Sequence, residues 1–556
     1  MIRGDSFESA RLARALAFVR EHGLTSDAAL TSLFESPPQN ADADVIKLLR
    51  QMHEAGGWVL LESTLADLPA DLRWLYESGA VSLEQLGAIH RAFGATSSAD
   101  LAAAIQEGPL ERAGLDAATQ DGIVNALPHI RSAIKRLPLG RAMAIAEPFL
   151  VRLQSVPGVL WAAPAGSLRR GEDSVGDVEI VAAAINPSQA IEAVLDDSEI
   201  VRSLHRSARR VYALTDRVQV GVILPEPSTA AGALLYRTGS IRHVDELRAR
   251  AAAKRLTLTS TGLRDEDGRS IDLHTEEALY EAIGLPFIPP ELRDDGTEFV
   301  AADRGTLPQL VSRDDIRGDL HMHSQWSDGR DPIEAMVQGC AALGYEYMAI
   351  TDHSQTSAAS RNLTIDGVKR QADEVAALQS QYPQIAVLHG CEVDILPDGR
   401  LDFPDNVLER FDIVLASLHE RAGHSPDQLL KRYAGAMQHP LVNMITHPSN
   451  RLVPYRPGYD INYDRLFELA VETRTALEID GAPGHLDLDG VLARRAIAAG
   501  ATVCVDSDCH RSDFLGRQMH LGLLTARRGW AEPRHVLNTR PLADLRAFIA
   551  AKRGGR

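Results

Sequence analysis

The sequence predicts a multidomain fold: a helical front, a mixed α/β middle, and a C-terminal region of parallel strands and helices forming a β/α barrel or an open α/β sheet. Three observations carry this. At 556 residues the chain exceeds what one hydrophobic core supports. Residues 1–145 show helical periodicity broken by short loops, as in Phe7–Glu21, Asp44–Ala55, Leu83–Phe93 and Ser98–Glu107. From residue 316 onward, short apolar runs alternate with helical stretches, the pattern of parallel strands joined by crossover helices.

After the helical front, a helix at Ala146–Leu153 leads into an apolar run at Pro157–Ala163. Gly166-Ser167-Leu168-Arg169-Arg170-Gly171 follows. A Gly-Ser turn that opens a helix offers free backbone N–H groups to a phosphate. The next strand bears Asp177-Val178-Glu179. Alternate residues of a strand share one face, so these two carboxylates can hold a divalent ion.

The C-terminal runs end on a different kind of residue. His321-Met322-His323 and Asp328 come first. Asp352-His353 then follows the run Tyr347–Thr351, and Glu392 follows Ile385–Gly390. His419 follows Ile413–Leu418, His447 follows Val442–Thr446, and Asp508-Cys509-His510 follows Ala501–Asp506. A single histidine after a strand is most often a satisfied surface or core residue. A metal-type residue at each of six strand ends is another matter, because the carboxyl ends of parallel strands share one face. A His/Asp/Glu set of this size can hold more than one divalent metal ion.

Composition narrows the functional classes. Hydrophobic residues at 45% and charged residues at 24% are ordinary for a soluble globular protein. No apolar run is long enough to cross a membrane, and the first eight residues hold no apolar signal region. Cys340, Cys391, Cys504 and Cys509 form no paired framework, which implies a reducing cytoplasm. The net charge of −18 excludes a wholesale basic nucleic-acid surface. Residues 311–556 carry 27 basic against 33 acidic residues, leaving 31 against 43 in front. Any nucleic-acid contact is therefore local. The candidate strip is Arg202, His205, Arg206, Arg209 and Arg210, with Arg242, Arg248, Arg250, Lys254 and Arg255 further on.

Gly318-Asp319-Leu320-His321-Met322-His323-Ser324, Ile350-Thr351-Asp352-His353-Ser354, Gly390-Cys391-Glu392-Val393-Asp394, Ser417-Leu418-His419, Thr446-His447-Pro448 and Ser507-Asp508-Cys509-His510 resemble, in order and spacing, the motifs of the polymerase-and-histidinol-phosphatase (PHP) domain. The resemblance implies a distorted β/α barrel with a trinuclear metal site that hydrolyses phosphoesters. It implies nine ligands: His321, His323, Asp328, His353, Glu392, His419, His447, Asp508 and His510. Asp352 is expected to orient a histidine from behind. The Gly166-Ser167 turn with Arg169, Arg170, Asp177 and Glu179 resembles the palm of a family X DNA polymerase, a nucleotidyltransferase fold. Ala233-Leu234-Leu235-Tyr236-Arg237-Thr238-Gly239-Ser240-Ile241-Arg242-His243 resembles that family's palm-to-thumb turn, and Leu285–Arg293 the end of its thumb. Together these imply bacterial family X polymerases with a C-terminal PHP domain. The implied layout is an N-terminal helical domain (1–85), a fingers-like helix-hairpin-helix region (86–145), an α+β palm (146–232), a thumb (233–311) and the PHP barrel (316–556). Gly166, Ser167, Arg169, Arg170, Gly239, Ser240 and His243 are then the expected phosphate and DNA contacts.

The chain departs from the polymerase pattern at its chemistry. The family holds two magnesium ions with three aspartates. Asp177 matches the first, the second is Glu179, and Gln219 replaces the third. A neutral amide lends an oxygen but no charge. Val244 stands where an asparagine is expected, and Gly79-Ala80-Val81-Ser82 and Gly114-Leu115-Asp116 are degraded phosphate-gripping turns. Lys47, the one lysine of the first 130 residues, lacks the context of a Schiff-base lyase.

The expected function is a cytoplasmic, monomeric DNA-repair enzyme. Its PHP domain is a 3′→5′ exonuclease with two to three manganese or zinc ions. Its polymerase core docks DNA gaps, breaks or 3′ ends, binds dNTP and magnesium or manganese weakly or not at all, and transfers nucleotides poorly. The alternatives are an active gap-filling polymerase with PHP proofreading, a small-molecule phosphatase, and a non-catalytic end-binding scaffold. A fragment of 312–556 is expected to keep hydrolysis of a small phosphodiester and to lose most activity on DNA.

Overall fold

A computed structural model describes residues 6–24, 27–38, 41–54, 70–93, 100–101, 105, 113–133, 136–198, 200–215, 218–357, 359–419 and 424–554. The expected helix Ser98–Glu107 lies mostly outside these residues. Helices Ser6–Glu21, Asp27–Glu35 and Ala43–Glu54 bury Ala15, Leu33, Val45 and Leu49 among themselves. A second core joins Leu72, Leu75, Val81, Leu86, Leu101, Leu115 and Ile123. It runs across residue 85, where a domain boundary was expected.

The middle of the chain is a five-stranded sheet. Its strands are β1 (Val159–Pro164), β2 (Val178–Ala184), β3 (Ile200–Arg206), β4 (Arg210–Thr215) and β5 (Gln219–Ile223), in the order β1-β2-β5-β4-β3. Only β2 and β5 run parallel. Strand β2 is buried at every residue, as a Val/Ile/Ala strand covered on both faces must be. Helices Leu139–Ser155 and Pro187–Leu195 cover the sheet through Phe149, Leu153, Ala190 and Ile191. Helices Ala230–Thr238, Ile241–Ala253, Glu276–Ala282 and Thr297–Arg304 then gather around Leu235, Leu247, Tyr280 and Phe299.

The C-terminal region is a barrel of seven parallel strands in sequential order: β6 (Gly318–Asp319), β7 (Tyr347–Ile350), β8 (Ala386–Asp394), β9 (Ile413–Ser417), β10 (Met444–Ile445), β11 (Ala476–Asp480) and β12 (Val503–Asp506). Its first and last strands meet just past their ends. Met322 bridges Cys509 in parallel register, and the His323 N–H donates to the Cys509 carbonyl at 2.9 Å. Strand β8 runs four residues past the predicted end of its apolar run, so Glu392 lies inside the strand. Gly390 allows this, because a Cβ there would stand 2.8 Å from Thr351 Cγ2 and 3.0 Å from the Ile350 carbonyl. Helix Leu542–Arg553 closes the amino end of the barrel, packing Leu545 and Ile549 against Tyr347, Ile413, Met444 and Cys504.

The barrel and the middle sheet share buried surface. Leu486, Leu521 and Leu524 of the barrel belong to the same core as Leu139, Phe149 and Leu168. Arg451 reaches across to Asp173 at 2.6 Å.

Candidate metal centre

The carboxyl ends of the barrel strands bring all nine sequence-named donors to one mouth. The bridged Met322–Cys509 pair sets His321 and His323 beside Asp508. The two rings are fully buried, with their Nε2 atoms 3.1 Å apart, and His323 Nε2 is 3.1 Å from Asp508 Oδ1. His353 turns Nδ1 to Glu392 Oε2 at 2.8 Å and Nε2 to Asp328 at 3.5 Å. His510 stands 3.2 Å from the same Asp328 oxygen. Glu392 lies between the two sides: its Oε1 accepts from Thr446 at 2.7 Å and is 3.0 Å from His447 Nε2 and 3.7 Å from His419 Nε2. Three overlapping groups result, His321/His323/Asp508, His323/Asp328/His353/His510 and His353/Glu392/His419, with the donor atoms of each within 4.8 Å of one another.

The donor set fits divalent cations. Glu392 Oε2 and Asp328 Oδ1 are enclosed without a well-formed hydrogen bond, although ring nitrogens stand close to both. Imidazole nitrogens and carboxylate oxygens converging on shared points are the donors that manganese and zinc take. Without a cation, protons do part of that work. Burial opposes charge on the rings, yet the facing carboxylates win: His321 is held well above its ordinary range, His353, His419 and His447 are raised, and His510 is raised to about 9. His323 goes the other way, to about 3, through burial and the neighbouring His353 and His510.

Two orienting acids escaped the sequence reading. Glu478 on β11 takes His321 Nδ1 at 2.6 Å and the His447 N–H at 2.6 Å. Asp394 takes His419 Nδ1 at 2.5 Å. The signal for the first was present, because Glu478 and Asp480 alternate in an otherwise apolar run and so share its inner face. Asp352, expected against a histidine ring, instead accepts from Ser324 (2.6 Å), Ser327 (2.5 Å) and Gln371 (2.6 Å). It acts through Ser327, whose hydroxyl stands 3.5 Å from His323 Nδ1.

The second candidate site, on the middle sheet, differs. Asp177 is exposed just before β2. The β2–β5 register pairs Val178 with Val220 and so sets Gln219 beside Asp177. Glu179 is buried and occupied: it accepts from the Tyr212 hydroxyl at 2.9 Å and from Arg237 Nη1 at 3.0 Å. Arg237 also pairs with Asp100, which Arg210 meets at 3.2 Å. A guanidinium thus neutralises the carboxylate that would face a metal ion. Among the described residues, the groups of three or more His, Cys, Asp or Glu donors all lie in the barrel.

Comparison with known proteins decides the lineage. Residues 233–294 match the DNA polymerase beta thumb, and residues 319–481 match the PHP domain. The chain is 32% identical over 507 residues to "DNA polymerase/3'-5' exonuclease PolX" of Bacillus subtilis (strain 168), covering 90% of this chain and 88% of the relative. It belongs to the family X DNA polymerases that carry a PHP domain. A "Probable phosphatase" of Syntrophotalea carbinolica is 27% identical over 202 residues, covering 34% of this chain and 79% of that protein. Polymerase beta of Leishmania infantum, solved as a ternary P/T complex, covers 38% of this chain and 92% of its own, with 17% identity and a TM-score of 0.26.

As a member of this family the chain is an enzyme with a nucleotidyltransferase core and a metal-using hydrolase domain. Several residues expected on DNA have internal partners instead. Arg169 donates to Thr238 at 2.8 Å and pairs with Glu276, while Arg170 pairs with Glu172 and the Thr238 carbonyl. Both arginines thereby tie palm to thumb. Gly166 opens the single-turn helix Gly166–Arg169, of which Ser167 is part. Ser240, after Gly239, caps the thumb helix by accepting from the His243 N–H at 3.3 Å. His243 is wholly enclosed between Glu298 (2.8 Å) and Tyr280 (2.7 Å), and burial and Arg293 hold it neutral, down to about 2. Its ring faces the thumb interior, where a phosphate does not reach. Much of the basic strip is paired too: Arg206 with Glu192, Arg209 with Glu226, Arg248 with Asp245, Arg250 with Asp303 and Arg255 with Glu266. The side chains of Arg202 and His205 lie outside the described residues. No helix among the described residues is long and apolar enough to cross a membrane.

Proposed function

We propose that this chain shortens DNA from 3′ ends at its PHP centre, as a repair nuclease built on a polymerase scaffold whose own nucleotidyl transfer is weak or lost. One contrast carries the reading: eight grouped donors, with His447 against Glu392 as the ninth, converge in the barrel, whereas in the palm Arg237 holds Glu179 and Gln219 stands in for an acid.

Two to three manganese or zinc ions held by His321, His323, Asp328, His353, Glu392, His419, His447, Asp508 and His510 supply Lewis acidity toward phosphoryl oxygens and activate water. The chain does the positioning. Glu392 links the His353 side of the mouth to the His447 side. Glu478 and Asp394 fix the rings of His321 and His419 so that the far nitrogens face the cavity. Burial excludes bulk water, which strengthens every charge interaction inside. In the palm, losing one carboxylate of a two-metal site costs about 3–4 kcal/mol of transition-state stabilisation, by analogy with losing one preorganised donor. Magnesium, manganese and dNTP then bind weakly in the palm.

The separate cores support a division into an N-terminal helical unit to about residue 54, a fingers-like unit from about residue 70, and a palm, thumb and barrel much as the motifs imply. The DNA ends engaged, the cytoplasmic location and the monomeric state belong to the same proposal. A labelled primer–template incubated with Mn²⁺, with and without nucleotides, tests it. Shortening without extension is expected; robust Mg²⁺-dependent extension, or silence from metal-loaded protein, overturns it.

A further inference from the structure

One histidine at the barrel mouth is not among the nine donors and packs beside one of them. His485 lies on the loop after β11, the strand whose own acid, Glu478, is spent on His321 and His447. Its ring centroid is 5.4 Å from that of His447, inclined by 42°. The groups acting on it electrostatically are His447, Asp508, His419 and Glu392, all members of the donor set. Its Nδ1 is enclosed and has no hydrogen-bond partner; the nearest carboxylate oxygen, on Asp480, is 3.8 Å away, beyond bonding distance. The side chain still keeps 27% of its surface open, so the ring looks out from the wall of the mouth.

The loop is held firmly. The His485 N–H donates to the Ala482 carbonyl at 2.9 Å. Arg451 donates to the carbonyls of His485 (3.1 Å) and Leu486 (2.9 Å) while gripping Asp173 of the palm at 2.6 Å. Arg451 itself sits four residues after His447. One guanidinium thus fixes the two loops that flank this side of the centre and anchors both to the palm. A ring held this rigidly, next to the donors and still open over part of its surface, is placed to meet what the donors hold.

We propose that His485 is a substrate-contacting residue of the barrel, giving an imidazole N–H to a non-bridging oxygen of the phosphodiester at the donor set. With Nδ1 enclosed, Nε2 is the nitrogen that donates. The inference rests on the reading of this mouth as a phosphodiesterase and adds a contact to it. The bland alternative is a packing role, with His485 merely supporting His447.

The test uses full-length protein. His485→Ala and His485→Asn are compared with the unchanged chain for bound metal, melting temperature, inorganic phosphate binding by calorimetry, and hydrolysis of bis(p-nitrophenyl) phosphate. In His485→Ala, metal content and melting stay unchanged, while phosphate binding weakens and KM rises, each by about tenfold, the size of one hydrogen bond to a charged acceptor. His485→Asn, whose amide also donates, recovers part of both. Unchanged phosphate affinity in His485→Ala overturns the proposal, and so does loss of metal, which marks a support for His447. If the unchanged chain hydrolyses nothing when metal-loaded, the phosphodiesterase reading itself has failed, whereas phosphate binding still reports on His485.

Discussion

At the scale of single residues, the donor set and the palm acids make opposite predictions. His323→Ala removes a donor common to two of the groups at the mouth, and Asp508→Ala removes one from the His321/His323/Asp508 group. Elemental analysis is expected to show lost metal and an exonuclease assay to show abolished hydrolysis, with the fold retained because the site sits at a strand-end mouth. Proton competition follows from the raised rings. A ring whose pKa is raised holds its proton to higher pH, and a cation must displace it. Metal affinity is therefore expected to climb as pH rises towards about 9, where His510 loses its proton, and to fall as the medium is acidified. Metal titrations at several pH values, with proton release followed in weak buffer, check the sign. In the palm, Gln219→Asp alone is expected to leave extension near background, because Arg237 still holds Glu179. Removing Arg237 alone takes the guanidinium from buried Glu179, while Arg210 still meets Asp100, a loss of about 3–5 kcal/mol. The informative variant combines Gln219→Asp with Arg237→Leu and Asp100→Asn, and primer extension with Mn²⁺ is expected to rise only there.

At the scale of elements, strand β8 is closely fitted. Gly390→Ala would press a methyl onto Thr351 and Ile413 on its two neighbouring strands. Overpacking of this kind costs about 1–3 kcal/mol. A lowered melting temperature is expected, with weaker metal binding because Glu392 is two residues away. How much could be foreseen divides along similar lines. The strand ends were legible because each apolar run stops at a polar donor, and the barrel's parallel order followed from the helices between runs. Glu392 was placed after its strand rather than within it, because a glycine in an apolar run looks like an end when it is a point of close approach. Glu478 was passed over because an acid inside a run carries no punctuation. His243, Arg169 and the arginines of the basic strip were expected on DNA because a sequence shows charges without their partners, and the partners Glu298, Glu276 and Asp303 stand 53 to 107 positions away.

At the scale of the whole molecule, the barrel is not an independent module. Leu486, Leu521 and Leu524 complete the palm core, and Gly140 lies so close to the barrel that a Cβ there would stand 2.6 Å from Pro483. A fragment of 312–556 uncovers these leucines, so the clean separation expected from sequence does not follow. Burial of a leucine is worth roughly 1.5–3 kcal/mol. The fragment is expected to melt well below the full chain and to associate, as calorimetry and light scattering would show; a soluble fragment with full-length stability would contradict the shared core. The docking role of the front half is better probed in the intact protein, by comparing salt dependence of activity on DNA with that on a small diester.

The helix Leu542–Arg553 gives the barrel a floor. A site with a covered base has a single doorway. On the proposed reading, a DNA terminus enters by the same opening through which the released nucleotide leaves. Free mononucleotide is then expected to compete with the DNA end for that entrance, which an exonuclease assay with added mononucleotide would show.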